Sequence, residues 1–419
     1  MNIIILGNFP TREICKEIGI EAGNKEGWIE SYLELLSENN SIYYVFPQKT
    51  EKDIIRGKYS NINYIGYVRK EKPEWRYSKG LEKKFIEILR EINDIDIIHI
   101  MGTEYGHTLA MVNSLQRMEI LEKGVISIQG IMSICAEVYL EGIPFLVSNR
   151  WCYGDILKKS NLTISKIFFG LRGENERKAL LKIKNVIGRT DLDKAFTKTI
   201  NSKVNYFYCR EALRNIFYEK YWNFEKCEKD TIFISQGNYP IKGFHYFIEA
   251  LAIVKEEIPN VMVRITGKNV LKCRKLTSYE RYIKDLLIKT KCQDSVKFLG
   301  NLTAEQMAEE YIKANIFVSP SIVENSSNSI GEAMLIGTPI LASNVGGTNS
   351  IINHKKNGIL YEYDSIYLLS YYIVFLLKNC EIATELSINE RKKAEKIYSR
   401  EEIKSELLDI YKSISNCYS

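Results

Sequence analysis

The sequence predicts an α/β fold made of two doubly wound units, each a mostly parallel sheet with helices on both faces. Three observations predict it. Short β-branched runs alternate with longer amphipathic helical patterns. The alternation stops after about residue 190 and restarts at residue 230. The chain has 419 residues, which at ~100–200 residues per domain holds two or three domains.

The first run, "NIIIL" from Asn2, reads as a buried strand, since "MNIIILGNFP" has neither a basic leader nor a cleavage site. "IYYVF" from Ile42, "IDIIHI" from Ile95, "VISIQ" from Val125 and "NVIGR" from Asn185 continue the first sheet. Between them "GWIESYLELLSEN" and "GLEKKFIEILREI" place apolar residues at i, i+3, i+4 and i+7, the mark of helices with one buried face. The second set of strands is "DTIFISQG" from Asp230, "VMVRITG" from Val261, "SVKFLG" from Ser295, "NIFVSP" from Asn315 and "PILAS" from Pro339, with "HYFIEALAIVKEEI" and "AEQMAEEYIKA" as helices. Residues 210–229 join the halves, their aromatics packing a linker helix, and "REEIKSELLDIYKSIS" is a terminal amphipathic helix. The expected domains are 1–215 and 216–395, with 396–419 packing back on the first. Residues 131–178 depart from plain alternation and are rich in aromatics and cations. A lid or acceptor-facing insertion, a membrane-touching patch and a helical excursion closing the core all stay open for them.

Composition narrows the function. The chain carries 58 Lys+Arg against 52 Asp+Glu, a net charge of +6, too weak an excess to argue for nucleic acid. No apolar run approaches the ~18 residues of a membrane span. Nine cysteines without a CxxC pair fit reduced cytosolic thiols. Four dispersed histidines suggest no metal site.

The chemistry centres on "SIVENSSNSIGEAMLIGTPILAS", residues 321–343. Ligands of open α/β sheets bind beyond the carboxyl ends of strands, and "NIFVSPS" ends by delivering Glu324. The small polar residues after it let backbone N–H groups approach an anion or a sugar. A helix beginning near Ser329 favours negative charge at its start. Gly346 and Gly347, after the next strand, are expected to open a second helix pointing the same way, so that two N-termini cradle a diphosphate. Glu332 also fits the capping box Ser329-Ile330-Gly331-Glu332, so a purely structural role stands beside a binding one. Glu324 has no such alternative, since a carboxylate past a buried strand end is costly unless solvated or used.

"FVSPSIVENSSNSIGEAMLIGTPILASNVGG" resembles the E-x7-E block of retaining glycosyltransferases of family four, which have the GT-B fold. "NYPIKGFHYFIEAL" is similar to their lysine–glycine segment, and "VKFLGNLTAEQMAEEYIKANIFVSPS" to the stretch before the block. The likeness covers residues 230–360 in order; the first half matches loosely, and the last helix is similar to the one that crosses back in such enzymes. The resemblance implies two Rossmann-like domains facing a cleft. It implies that Glu332 binds ribose hydroxyls of a nucleotide sugar and that Glu324 holds the donor sugar near its reacting carbon. Backbone groups of Asn325, Ser326, Ser327, Asn328 and Ser329 would contact that sugar and the distal phosphate, and Lys242 would neutralise the diphosphate. The donor would be UDP- or GDP-linked, with no further cofactor and no metal. The acceptor would be a glycan or lipid-linked oligosaccharide of surface polysaccharide synthesis, reached in the cytoplasm or at the inner face of the membrane. Gly27, in "AGNKEGWIESY", resembles the loop glycine beneath the donor phosphates.

Two positions depart from the family pattern. The arginine usual five residues before the lysine is Gly237 here, so the charge is expected from Arg189 or Lys268. The histidine usual at the end of the fifth strand is Gln129, with His107 nearby as a substitute and His99 as a core residue. Arg177 reads as a solvated helix face. Competing readings are a nucleotide-sugar epimerase or hydrolase, a binding protein that has lost catalysis, and a nicotinamide dehydrogenase. The last is disfavoured because "IILGNFPTRE" offers one glycine where G-x-G-x-x-G needs three.

Overall fold

The computed structural model describes residues 1–21, 27–69 and 76–416. The chain divides into two compact units. One holds residues 1–133, 169–214 and 398–419; the other holds 134–168 and 215–397. The second unit thus takes in residues 134–168, which the sequence had placed with the first half.

The first unit is an eight-stranded sheet: β1 (Asn2–Leu6), β2 (Ser41–Gln48), β3 (Ile54–Tyr59), β4 (Ile62–Val68), β5 (Ile97–Met101), β6 (Gly124–Ser127), β7 (Asn185–Gly188) and β8 (Asn205–Tyr208). The order is β3-β4-β2-β1-β5-β6-β7-β8. All neighbours are parallel except the hairpin β3–β4. Every residue of β5, β6 and β7 is buried, which is why these strands read as continuous apolar runs. The helix Arg400–Asn416 completes this unit. Its Ile403, Leu407, Ile410, Tyr411 and Ile414 join the same core as Ile3, Ile5, Ile97 and Tyr44. At roughly 1.5–3 kcal/mol per buried side chain, these five are comparable to a domain's whole net stability.

The second unit is a six-stranded parallel sheet: β9 (Thr231–Ile234), β10 (Met262–Ile265), β11 (Val296–Phe298), β12 (Ile316–Ser319), β13 (Ile340–Ser343) and β14 (Ile359–Tyr361). Its order is β11-β10-β9-β12-β13-β14. The order reverses between β9 and β12, the switch point where such sheets bind ligands. Phe233 and Phe317 each meet Tyr311 edge to face beneath it. The joining segment carries only one short helix, Ile216–Glu219, and its aromatics pack as expected: Phe217 is fully buried and the Trp222 indole donates to the Ala314 carbonyl at 2.7 Å.

Residues 134–168 form short helices and the start of the helix Leu162–Lys182, and belong to the second unit. His245 bonds the Glu141 carbonyl at 3.2 Å. Gly154 donates to Leu276 O at 2.9 Å, and Asp155 accepts from Ser278 N at 2.8 Å, capping the helix Ser278–Lys289. Among the described residues no single helix is long and apolar enough to cross a membrane.

Candidate active site

The site is built where β9 and β12 end. After β9 the chain turns through Pro240–Lys242 and enters the helix Phe244–Glu257 by way of Gly243, whose φ is 64°. A Cβ at Gly243 would lie 1.8 Å from the Pro320 carbonyl oxygen, so only glycine lets the lysine turn lie against the end of β12. Ile322 N donates to Ile241 O at 2.8 Å, and Gly347 N to Glu324 O at 3.0 Å. Ser343 on β13 bonds the Ser321 carbonyl. Three strand-end loops are therefore tied by backbone, and Lys242 and Glu324 meet on them.

The Lys242 ammonium pairs with Glu324 Oε1, which also accepts from Ser321 Oγ at 2.8 Å. Burial pulls the Lys242 pKa down, but the Glu324 charge outweighs it and holds the lysine above its ordinary value. These two side chains, Ser321, Ser329 and Gln236 line one small space of about 10 Å3, room for about one water. Ser321, next to Pro320 at the strand end, opens the stretch singled out in the sequence but had been given no role there.

The helix after Glu324 spans Asn328–Ile336, with Ser327 at its N-cap and no side-chain capping bond. Ser329 is therefore the second helical residue and Glu332 the fifth, so the capping-box alternative does not hold. Glu332 is buried, with Oε2 accepting from Tyr311 Oη at 3.3 Å. Tyr311 also donates to Ser329 O at 3.0 Å, linking the glutamate to the first turn. Asn325 and Ser327 are buried; Ser326, Asn328 and Ser329 are half-buried. Ser327 and Ser329 hydroxyls lie 3.0 Å apart.

The second helix expected from Gly346 and Gly347 is a correction. Gly346 has φ 54° and turns the chain, but only the three-residue 3-10 turn Thr348–Ser350 follows. So short a turn aligns too few peptide dipoles to attract an anion; one N-terminus, not two, faces this loop.

Gly237 stands where the arginine was missed. A Cβ there would come within 2.5 Å of Ile265 Cδ1 and 3.2 Å of Phe244 Cβ, so the place is filled by apolar packing. Lys268 is engaged by Glu280 at 3.1 Å and the Lys275 carbonyl at 2.6 Å.

The remaining residues belong to the first unit. Arg189, expected as a diphosphate cation, is buried with its charge met by Glu211 at 2.8 Å, and it donates to Ile128 O at 3.2 Å and Gln129 Oε1 at 3.0 Å. Gln129 in turn donates to Glu211. Glu211, brought in from the loop after β8, had no signal in the sequence; burial raises its pKa despite the Arg189 charge. His107, expected near the chemistry, sits at the start of the helix Gly106–Arg117 but has no exposed surface. Its ring lies 3.1 Å from Tyr67 Oη, and burial with the Arg69 charge holds it well below its ordinary pKa. A sealed, neutral ring cannot reach a substrate, so His107 is a core residue. His99 is one too, as the sequence indicated: Tyr411 Oη at 2.5 Å and Ser127 Oγ at 2.6 Å hold it, and burial lowers it to about 3. Arg177 is exposed, over the Phe196 ring. Gly27 begins the helix Gly27–Ser37; its surroundings lie outside the described residues. Among the described residues no three His, Cys, Asp or Glu side chains gather as metal ligands.

Comparison with known proteins agrees with this geometry. Residues 219–393 match the family described as Glycosyl transferases group 1. An uncharacterized glycosyltransferase of Methanocaldococcus jannaschii is 27% identical over 204 residues, 47% of this chain and 50% of that protein. The chain spans about half the length of the curated relatives it matches. Among solved structures, sucrose-phosphate synthase from Thermosynechococcus elongatus superposes with TM-score 0.69 at 17% identity, over 100% of both chains. Anabaena HepE in complex with UDP-glucose gives TM-score 0.65 at 15% identity, over 99% of this chain and 100% of that one. Residues 219–393 thus resemble the group 1 glycosyl transferases in sequence, and over its whole length the chain shares the two-unit α/β fold of these solved structures.

Proposed function

We propose that the chain transfers a sugar from a nucleoside diphosphate sugar, UDP- or GDP-linked, to a glycan or lipid-linked acceptor. The transfer keeps the anomeric configuration and needs no metal. The observation that carries this is the Lys242–Glu324 pair at the β9/β12 switch point, ahead of the helix that bears Glu332. A nucleoside diphosphate is already a good leaving group, so it needs positive charge and N–H donors more than a general acid. Lys242 supplies the charge; the Asn325–Ser329 backbone and the helix start supply donors and a favourable dipole. The space beside the ion pair is too small for a sugar, so donor binding parts it: Lys242 turns to the diphosphate and Glu324 accepts from sugar hydroxyls. The ammonium thus exchanges one anionic partner for another. Glu332 takes the ribose hydroxyls. The UDP-glucose bound by the structurally similar Anabaena HepE supports a donor of this class. We place the reaction in surface polysaccharide synthesis, on the cytoplasmic side of a membrane.

The test is a thermal-shift screen against UDP, GDP, ADP, CMP, dTDP and their common sugars, with Glu332→Ala alongside. A ligand at a hundredfold its dissociation constant adds about 2.7 kcal/mol. One nucleotide should stabilise the wild type and fail to stabilise the variant. NMR of the product's anomeric proton then reads retention. Silence with every nucleotide would sink the proposal; stabilisation without turnover on any acceptor would leave a binding protein on this fold.

A further inference from the structure

Between Gly142 and Phe168 the second unit turns its largest apolar side chains outward. Phe145 and Leu146 are 79% and 78% exposed, and Trp151, Tyr153, Ile156, Leu157 and Ile167 are each about half exposed or more. A core-closing excursion would bury these residues, and isolated exposed hydrophobics would need no comment. Seven within twenty-three residues form a patch that calls for a partner. The backbone beneath is not loose. Val147, Ser148, Gly154 and Asp155 are buried, and Asp155 caps the helix Ser278–Lys289. A Cβ at Gly154 would lie 2.7 Å from the Leu276 carbonyl carbon, so the outward pose is held by close backbone contact.

Charge identifies the partner. The segment carries Arg150, Lys158, Lys159 and Lys166, and its one acid, Asp155, faces inward. The neighbouring loop, stitched to it at Gly154 and Leu276, adds exposed Lys272, Arg274 and Lys275, with Lys275 over the Tyr153 ring at 5.5 Å. Arg150 pairs with Asp285 at 3.7 Å, but the excess of cations remains, and aromatic and aliphatic side chains ringed by it suit the boundary of an anionic bilayer, where rings sink to headgroup depth and cations meet lipid phosphates. A second copy of the chain would place these cations against one another.

We propose that residues 142–168, with the loop 271–276, dock the second unit on an anionic lipid surface without spanning it. The proposal stands apart from the donor reading, because its test needs no nucleotide and no turnover. The full chain is floated with phosphatidylcholine vesicles made with and without phosphatidylglycerol, at low and high salt. Binding should require the anionic lipid and weaken with salt. Phe145→Ser with Leu146→Ser should lower partitioning at least tenfold, and Lys158→Glu with Lys159→Glu should abolish the anionic preference, each with unchanged circular dichroism and melting. Failure of the wild type to float, or equal binding to neutral vesicles, would overturn it. So would a dimer in solution that the Phe145/Leu146 variant abolishes while flotation stays absent, which would make a second copy the occupant.

Discussion

Both units set a buried-edge ion pair beyond the ends of their strands, but the two pairs differ in what they can do. Lys242 and Glu324 keep 16% and 13% of their side chains exposed; Arg189 and Glu211 keep 5% each. The first pair lies at the point where strand order reverses. The second lies beyond β7 and β8, well past the reversal between β1 and β5 in its sheet. Arg189 is also bound by Gln129 and the Ile128 carbonyl, so the cluster answers its own charges. Residue type alone does not separate a candidate binding cation from a structural one; position on the sheet and access to solvent do.

The largest effect should come from breaking the sealed pair. Arg189→Ala leaves Glu211 uncompensated and should cost about 3–5 kcal/mol in urea unfolding, with much of it recovered in the double variant Arg189→Met/Glu211→Leu. A loss below 1 kcal/mol would erase the contrast between the pairs. Lys242→Ala should instead lower turnover about 10²–10³-fold with a smaller loss of stability; steady-state kinetics beside the same unfolding curve separates the two. Gly243→Ala tests the close approach that sets Lys242 beside Glu324. Its positive φ alone should cost about 1–3 kcal/mol, and the overlap with Pro320 should weaken donor binding as well, which calorimetry would read.

The most gradual effect is one the units share. His99 in the first unit and His245 in the second are lowered by burial to about 3 and about 4. The unfolded chain takes up these protons below pH 6.5, while the folded chain resists until those lower values. Stability is therefore full above pH 6.5 and falls as pH drops, by about 1.4 kcal/mol per unit for each ring. Melting followed from pH 7 to 5 should show the decline, and His99→Asn should flatten its share.

Much of this was legible. The strands β1, β2, β5–β7 and β9–β13 announced themselves as apolar runs, Glu324 by its place after a strand, and Lys242 only through the resemblance of its segment to the family-four enzymes. The hairpin β3–β4 was missed because "IIRGKYSNINYIGYV" mixes glycine and polar residues on an edge, where burial imposes no clean pattern. β14 was missed for its three-residue length. The capping box stayed open as an alternative because its S-x-x-E begins two residues past the N-cap, where the pattern is the same and the geometry is not. The Gly346–Gly347 turn looked like a helix start because a 3-10 turn opens with the same residues. Glu211 was invisible for another reason: it reaches Gln129 across 82 positions of sequence, and only the sheet brings them together.

The helix Arg400–Asn416 has a consequence for synthesis. Tyr411 bonds His99 in the middle of β5, and four aliphatic neighbours on that helix line the same core. On the ribosome, the first unit's sheet emerges early, yet its interior stays open until the last segment of this sequence is made. The second unit can close in the meantime. The nascent first half is therefore the stretch on which a chaperone would be expected to wait.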